Sequence, residues 1–314
     1  MPTVWRILVP LVIISTLDAC IGLPKTGEEG QACFEDGTCL ADLACGPDNL
    51  CANGASDGGT DAGADAGIVV NCGPSPTGKG GDMCLVPAGA FMMGCNSVVD
   101  NECQGNENPY HRVAVPGFKI DKYEVTASEY KACVGAGGCT AAKTVGQCTY
   151  GVSGLENHPI NCVDWTQAGA YCTWAGKRLP TEAEWEKAAR GTDGRKYPWG
   201  NDSLDCDHAV QAVTGNCGVT TTAPVGSKPP GESPYGTEDM IGNVWECVED
   251  YYHDSYAGAP SDGGAWSTPA GTYRILRGGS YSAQARYNMR ASARFRDFLS
   301  DYGPETGFRC AVSQ

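Results

Sequence analysis

Eighteen cysteines in 314 residues constrain this chain more than any other feature. They follow an N-terminal segment of secretory type, with one basic residue, Arg6, before an apolar run from Ile7 to Leu17 that is too short to span a bilayer comfortably. Residues 1–19 are therefore expected to be a signal peptide, and the cysteines to meet an oxidising compartment as a disulfide framework. Zinc is not expected, because no CxxC pair occurs and the four histidines, His111, His158, His208 and His253, are scattered singly.

The segment Leu17-Asp-Ala-Cys20 is similar to the bacterial lipoprotein signal, in which the cysteine becomes the lipidated N-terminus; ordinary signal cleavage nearby is the alternative. Four cysteines then recur at a six-residue interval, Cys33, Cys39, Cys45 and Cys51, with few apolar residues between them. Residues 20–51 are expected to be a lipid anchor and a small crosslinked module, for which three connectivities are possible. From Ala52 to Gly67 no large apolar residue occurs, so 52–71 is expected to be a flexible acidic linker, and the domain proper to occupy 72–314. This arrangement implies display at the bacterial outer membrane or cell surface, touching the membrane only through the anchor. A net charge of −15 opposes binding to nucleic acid or to an anionic membrane.

Within the domain, Cys84 to Met93 and Arg112 to Ile120 suggest short strands. Thr126-Ala-Ser-Glu129 and Thr181-Glu-Ala-Glu184 are capping boxes for helices ended by Gly135 and Gly191, and a further helix is expected from about Thr166 to Ala175. Beyond Gly191, Gly, Pro, Asn and Asp dominate through Gly236, so irregular loops need disulfides or a metal to hold them. Asp239-Met-Ile-Gly-Asn-Val-Trp-Glu246 sets two carboxylates seven residues apart around a glycine turn, and oxygen ligands suit calcium; capping of backbone amides is the alternative use.

The C-terminal stretch runs from Arg274-Ile-Leu-Arg-Gly-Gly-Ser-Tyr281 to Thr306-Gly-Phe-Arg-Cys310. Its paired glycines admit a close backbone approach. Between the two ends lie Arg286, Tyr287, Arg290, Arg294, Phe295 and Arg296. These either face a ligand, with Arg286, Arg290, Arg294 and Tyr287 as binding residues, or pin a loop through ion pairs to the abundant carboxylates.

This stretch resembles the end of the formylglycine-generating enzyme family, also called the sulfatase-modifying-factor family. Further motifs follow in the family's order: Phe91-Met-Met-Gly94, Phe118-Lys-Ile-Asp-Lys-Tyr-Glu-Val-Thr126, His158-Pro159, Asp164-Trp165, Gly176-Lys-Arg-Leu-Pro-Thr-Glu-Ala-Glu-Trp185, Tyr197-Pro-Trp-Gly-Asn201 and Asp239 to Glu246. The resemblance implies an α+β, C-type-lectin-like fold with much irregular loop, following the cysteine-rich module. It also implies calcium at the side chains of Asp239 and Glu246 and the carbonyls of Gly242 and Val244, while a second family calcium site is poorly matched, Val210 standing where a ligating Asn is expected.

The family's chemistry oxidises a substrate cysteine to an aldehyde with a copper ion held by two cysteine thiolates a few residues after the Gly-Gly-Ser-Tyr motif. No cysteine lies between Cys247 and Cys310 here, so copper is not expected, and Trp245 and Ser280 remain as matching pocket residues. A non-heme iron centre is not expected either, since Glu249 to Asp254 brings only one histidine. The resemblance further implies a bridge from Cys172 to Cys310. Local pairs Cys95 with Cys103, Cys133 with Cys139, Cys148 with Cys162, Cys206 with Cys217 and Cys72 with Cys84 then leave Cys247 unpaired. Two functions stay open: a calcium-stabilised, lectin-like binding module for a protein or small-molecule ligand, or an oxidoreductase acting on protein or thiol substrates.

Overall fold

The structure, a computed structural model, describes residues 43–45, 51–53 and 70–314. The signal segment, Cys20, the crosslinks of the cysteine module and most of the linker lie outside the described residues. The chain divides into two compact units, Met1–Asp61 and Ala62–Gln314. In the first, β1 (Leu43–Cys45) pairs antiparallel with β2 (Cys51–Asn53), Cys45 opposite Cys51.

The second unit contains β3 (Cys72–Gly73), β4 (Met83–Val86), β5 (Gly89–Met93), β6 (His111–Val115) and β7 (Phe118–Asp121). Each strand expected from the sequence is broken into two, at Pro87 and at Pro116, because proline has no N–H to give a ladder. Helices α1 (Ala127–Gly135), α2 (Trp165–Trp174) and α3 (Glu182–Arg190) follow. Thr126 and Thr181 cap as their spacing with Glu129 and Glu184 demands, each hydroxyl accepting the N3 amide while the glutamate accepts from the cap amide. Then come β8 (Trp245–Tyr251), β9 (Tyr273–Arg277), β10 (Phe295–Phe298), β11 (Thr306–Gly307) and β12 (Ala311–Ser313).

Two four-stranded sheets, ordered β12-β7-β4-β3 and β10-β9-β8-β11, and the β5-β6 ribbon carry the fold. Helix α3 lies in the core that joins them. Its nine residues are all buried, the charged ones included. Glu186 accepts from Arg277 at 2.6 Å and from Arg190 at 2.9 Å, and Glu182 accepts from Arg294 at 2.7 Å. A second core packs Tyr130, Tyr171 and Phe308 on one another around the Cys172–Cys310 disulfide, which ties α2 to the last strand with Cα atoms 5.6 Å apart. All six disulfides among the described residues join the pairs expected from the sequence, and Cys247 is the one free cysteine there.

Candidate functional site

The sheet β10-β9-β8-β11 ends in a groove. Register places Phe295 opposite Leu276, Cys247 opposite Leu276 and Thr306 beside Trp245, so residues distant in sequence converge where β9 runs into Gly278. Both glycines of the pair have positive φ, and a Cβ on Gly279 would stand 2.4 Å from the Met289 sulfur. The backbone thus turns under Met289 and sends residues 281–290 along the groove's side.

The groove has a volume of about 370 Å³ and is lined by Trp245, Ala283, Asn288, Phe295, Asp297 and Glu305 among others. Trp245 and Phe295 stack at its wall with ring centroids 5.2 Å apart, and Phe295 stays 45% exposed, an apolar ring offered to whatever enters. Burial, and a hydrogen bond shared with Asp301, push the Asp297 carboxyl up to about 6. A second hollow of about 340 Å³, formed by Gln104 to Glu107 with Tyr287 and Arg294, shares Asn288 and Phe295 with the first.

The sequence-derived site residues divide sharply. Trp245 lines the groove. Ser280 is fully buried and acts from behind, its hydroxyl donating to Glu305 Oε2 at 3.0 Å. Arg286 and Tyr287 are exposed on the flanking segment. Arg290 is fully buried, donating at 2.8 Å to both Asp100 and Glu107, whereas Arg294 borders the second hollow while Glu182 clamps it at 2.7 and 3.0 Å. A guanidinium whose donors are spent on buried carboxylates fixes the loop rather than reading a ligand.

Glu246, one of the expected calcium ligands, accepts from Arg309 at 2.7 Å with each oxygen and from the Trp185 indole at 2.9 Å, so part of its charge is met within the protein. Asp239 and Glu124 accept only from uncharged donors, Asp239 from the Gly226 N–H at 2.6 Å and Glu124 from the Asn243 side-chain amide at 2.8 Å and the Val244 N–H at 3.2 Å. Burial lifts Asp239 to about 6, and burial with Asp239 and Glu246 nearby lifts Glu124 well above the usual range. Three buried carboxylates around the single Arg309 leave up to two negative charges without a counter-ion, which fits a divalent cation with oxygen ligands. Glu124 had no signal in sequence, since it sits 115 residues before Asp239. Gly242 and Val244 are buried on the same turn, where the Val210 carbonyl is occupied by the Asn243 amide at 2.9 Å.

Sulfur chemistry in the groove is restricted. Cys247 is 2% exposed on β8, and burial pushes its thiol far up. Met289 is fully buried with Tyr197, Leu204 and Ile241.

An α+β domain with three short helices, two small sheets and a loop-walled groove at the Gly-Gly-Ser turn defines the class. The family model of the sulfatase-modifying factor enzyme 1-like domain matches residues 71–314, and the chain belongs to that formylglycine-generating enzyme family. It is 30% identical to the formylglycine-generating enzyme of Bos taurus over 361 residues, covering 96% of this chain and 94% of that one. Hercynine oxygenase of Mycolicibacterium smegmatis is 32% identical, covering 67% of this chain and 57% of that relative. The structure of PvdO from Pseudomonas aeruginosa superposes with a TM-score of 0.66 at 31% identity, over 78% of this chain and 98% of that one.

Proposed function

We propose that this protein is a surface-tethered binding module built on the formylglycine-generating fold, its groove taking a protein or small-molecule ligand without oxidising it. The observation that carries this reading is the groove's lining. The segment after Tyr281 delivers Ser282, Ala283 and Asn288, and none of them is a soft-metal ligand. The single unpaired thiol of the described residues is buried, and one thiolate does not make a two-thiolate copper centre. The aromatic wall and the carboxylates Asp297 and Glu305 suit a ligand that is apolar on one side and cationic on the other.

A divalent cation, held by Asp239, Glu124 and the carbonyls of Gly242 and Val244, would stabilise the turn behind the groove by offsetting its buried charge. The relatives named as oxidising enzymes keep a second reading, an oxidoreductase, in contention. Titrating copper(I) into the purified protein with its disulfides intact separates the two. The binding module predicts no stoichiometric tight site, and one equivalent bound tightly would establish the oxidase reading instead.

A further inference from the structure

The six disulfides of the domain are not chemically alike. Cys95 and Cys103 close an eight-residue separation beside the second hollow, and their sulfurs lie with a Glu107 carboxylate oxygen within 4.8 Å of one another. Arg290 Nη1 contacts the Cys95 sulfur at 3.6 Å. The same Nη1 donates to Asp100 and Glu107 at 2.8 Å and to Ser292 at 3.1 Å, Asp100 Oδ2 itself lies 3.5 Å from the Cys95 sulfur, and Lys196 adds a second cation at 3.1 Å from Asp100. Cys95 is 2% exposed while Cys103 is half-buried, its sulfur 3.3 Å from the Asp100 carbonyl.

We propose that Cys95–Cys103 is a thiol-exchange site, open to a small thiol from the side of Cys103. An incoming thiolate attacks the accessible Cys103 sulfur, forming a mixed disulfide there. The Cys95–Cys103 bond breaks and its electron pair leaves with Cys95, whose thiolate forms against Arg290. The incoming sulfur is oxidised and Cys95 reduced, the proton having left the small thiol beforehand, so no further oxidant enters. A leaving sulfur departs faster when its thiolate is stabilised; the guanidinium in contact favours that thiolate, Asp100 Oδ2 at 3.5 Å opposes it, and Lys196 on Asp100 offsets part of that opposition. The modified Cys103 adjoins Gln104 to Glu107, which wall the hollow, so the adduct alters what that hollow presents.

The test incubates the native protein with glutathione, quenches with iodoacetamide and maps the peptides. Cys206–Cys217 serves as the internal reference for exposure, since both its cysteines are half-buried and an amide, Gln211 Nε2 at 3.2 Å from Cys217, takes the place of the guanidinium. The expected result is glutathione on Cys103 and alkylation on Cys95, appearing at least as fast as opening of Cys206–Cys217 and roughly tenfold or more faster than opening of Cys172–Cys310. Glutathione on Cys95, or opening slower than the reference, overturns the proposal. Arg290→Gln should slow the exchange by roughly tenfold, and where that variant does not fold, the wild-type choice between the two sulfurs still decides.

Discussion

Arg309 grips both carboxylate oxygens of Glu246, with Nε and Nη2 each at 2.7 Å and both side chains shut away from solvent. The remaining guanidinium donors reach the carbonyls of Asp121, Lys122 and Glu238 at 2.9 to 3.1 Å. One side chain of the Gly-Phe-Arg motif therefore joins the last segment to β7, to the turn before β8 and to β8 itself. Arg309→Met should destabilise the domain by about 3–5 kcal/mol, the cost of leaving a buried partner charge unpaired. Urea denaturation measures this. A loss under about 1 kcal/mol would mean that the pair does not organise the site.

Buried carboxyls in and beyond this cluster set the pH response. Asp121 and Asp239 are raised to about 6 and Asp250 to about 7, burial being the main cause for each. A carboxyl with a raised folded pKa holds its proton in the folded state at pH values where the unfolded chain has already released it. Folding then takes up protons between about 4 and 6 to 7, so stability falls as pH rises through that window. In chelator the denaturation midpoint should therefore be higher at pH 5 than at pH 7.5. The reverse order would show that other groups dominate the linkage.

The capping threonines and the helix-ending glycines made α1 and α3 legible from sequence, because those signals are local. The disulfide pairs were legible by proximity along the chain or by family resemblance. Arg290 and Arg294 were ambiguous for a physical reason: a run of arginines looks the same whether it faces water or buried carboxylates. Their partners Asp100, Glu107 and Glu182 lie more than a hundred residues upstream. The burial of the glutamates and lysine of helix α3 is likewise invisible in their local sequence. Glu305 and Asp297 carried no motif, and only the convergence of β10 and β11 on β8 and β9 brings them to the groove.

If a divalent cation relieves the charge around Asp239, adding calcium to chelated protein should raise the melting temperature by mass action. Asp239→Asn should abolish that response, while raising stability in chelator because the buried carboxyl no longer needs a proton. Differential scanning calorimetry with and without calcium reads both effects. An identical calcium response in wild type and Asp239→Asn would remove Asp239 from any ligand set.

The Cys172–Cys310 bridge closes a sequence separation of 138 residues, and both cysteines are fully buried under Tyr130, Tyr171 and Phe308. A crosslink of that span confines the unfolded chain strongly, so Cys172→Ala with Cys310→Ala should cost up to about 4–5 kcal/mol on the chain-entropy model, less where the denatured chain stays compact. The local bridge Cys133–Cys139, with a separation of six, constrains the unfolded chain much less, so its double-alanine variant should lose clearly less stability. Comparing the two variants by chemical denaturation tests the ordering directly. Equal losses would mean that native packing around each sulfur, and not the span closed, sets what these disulfides contribute.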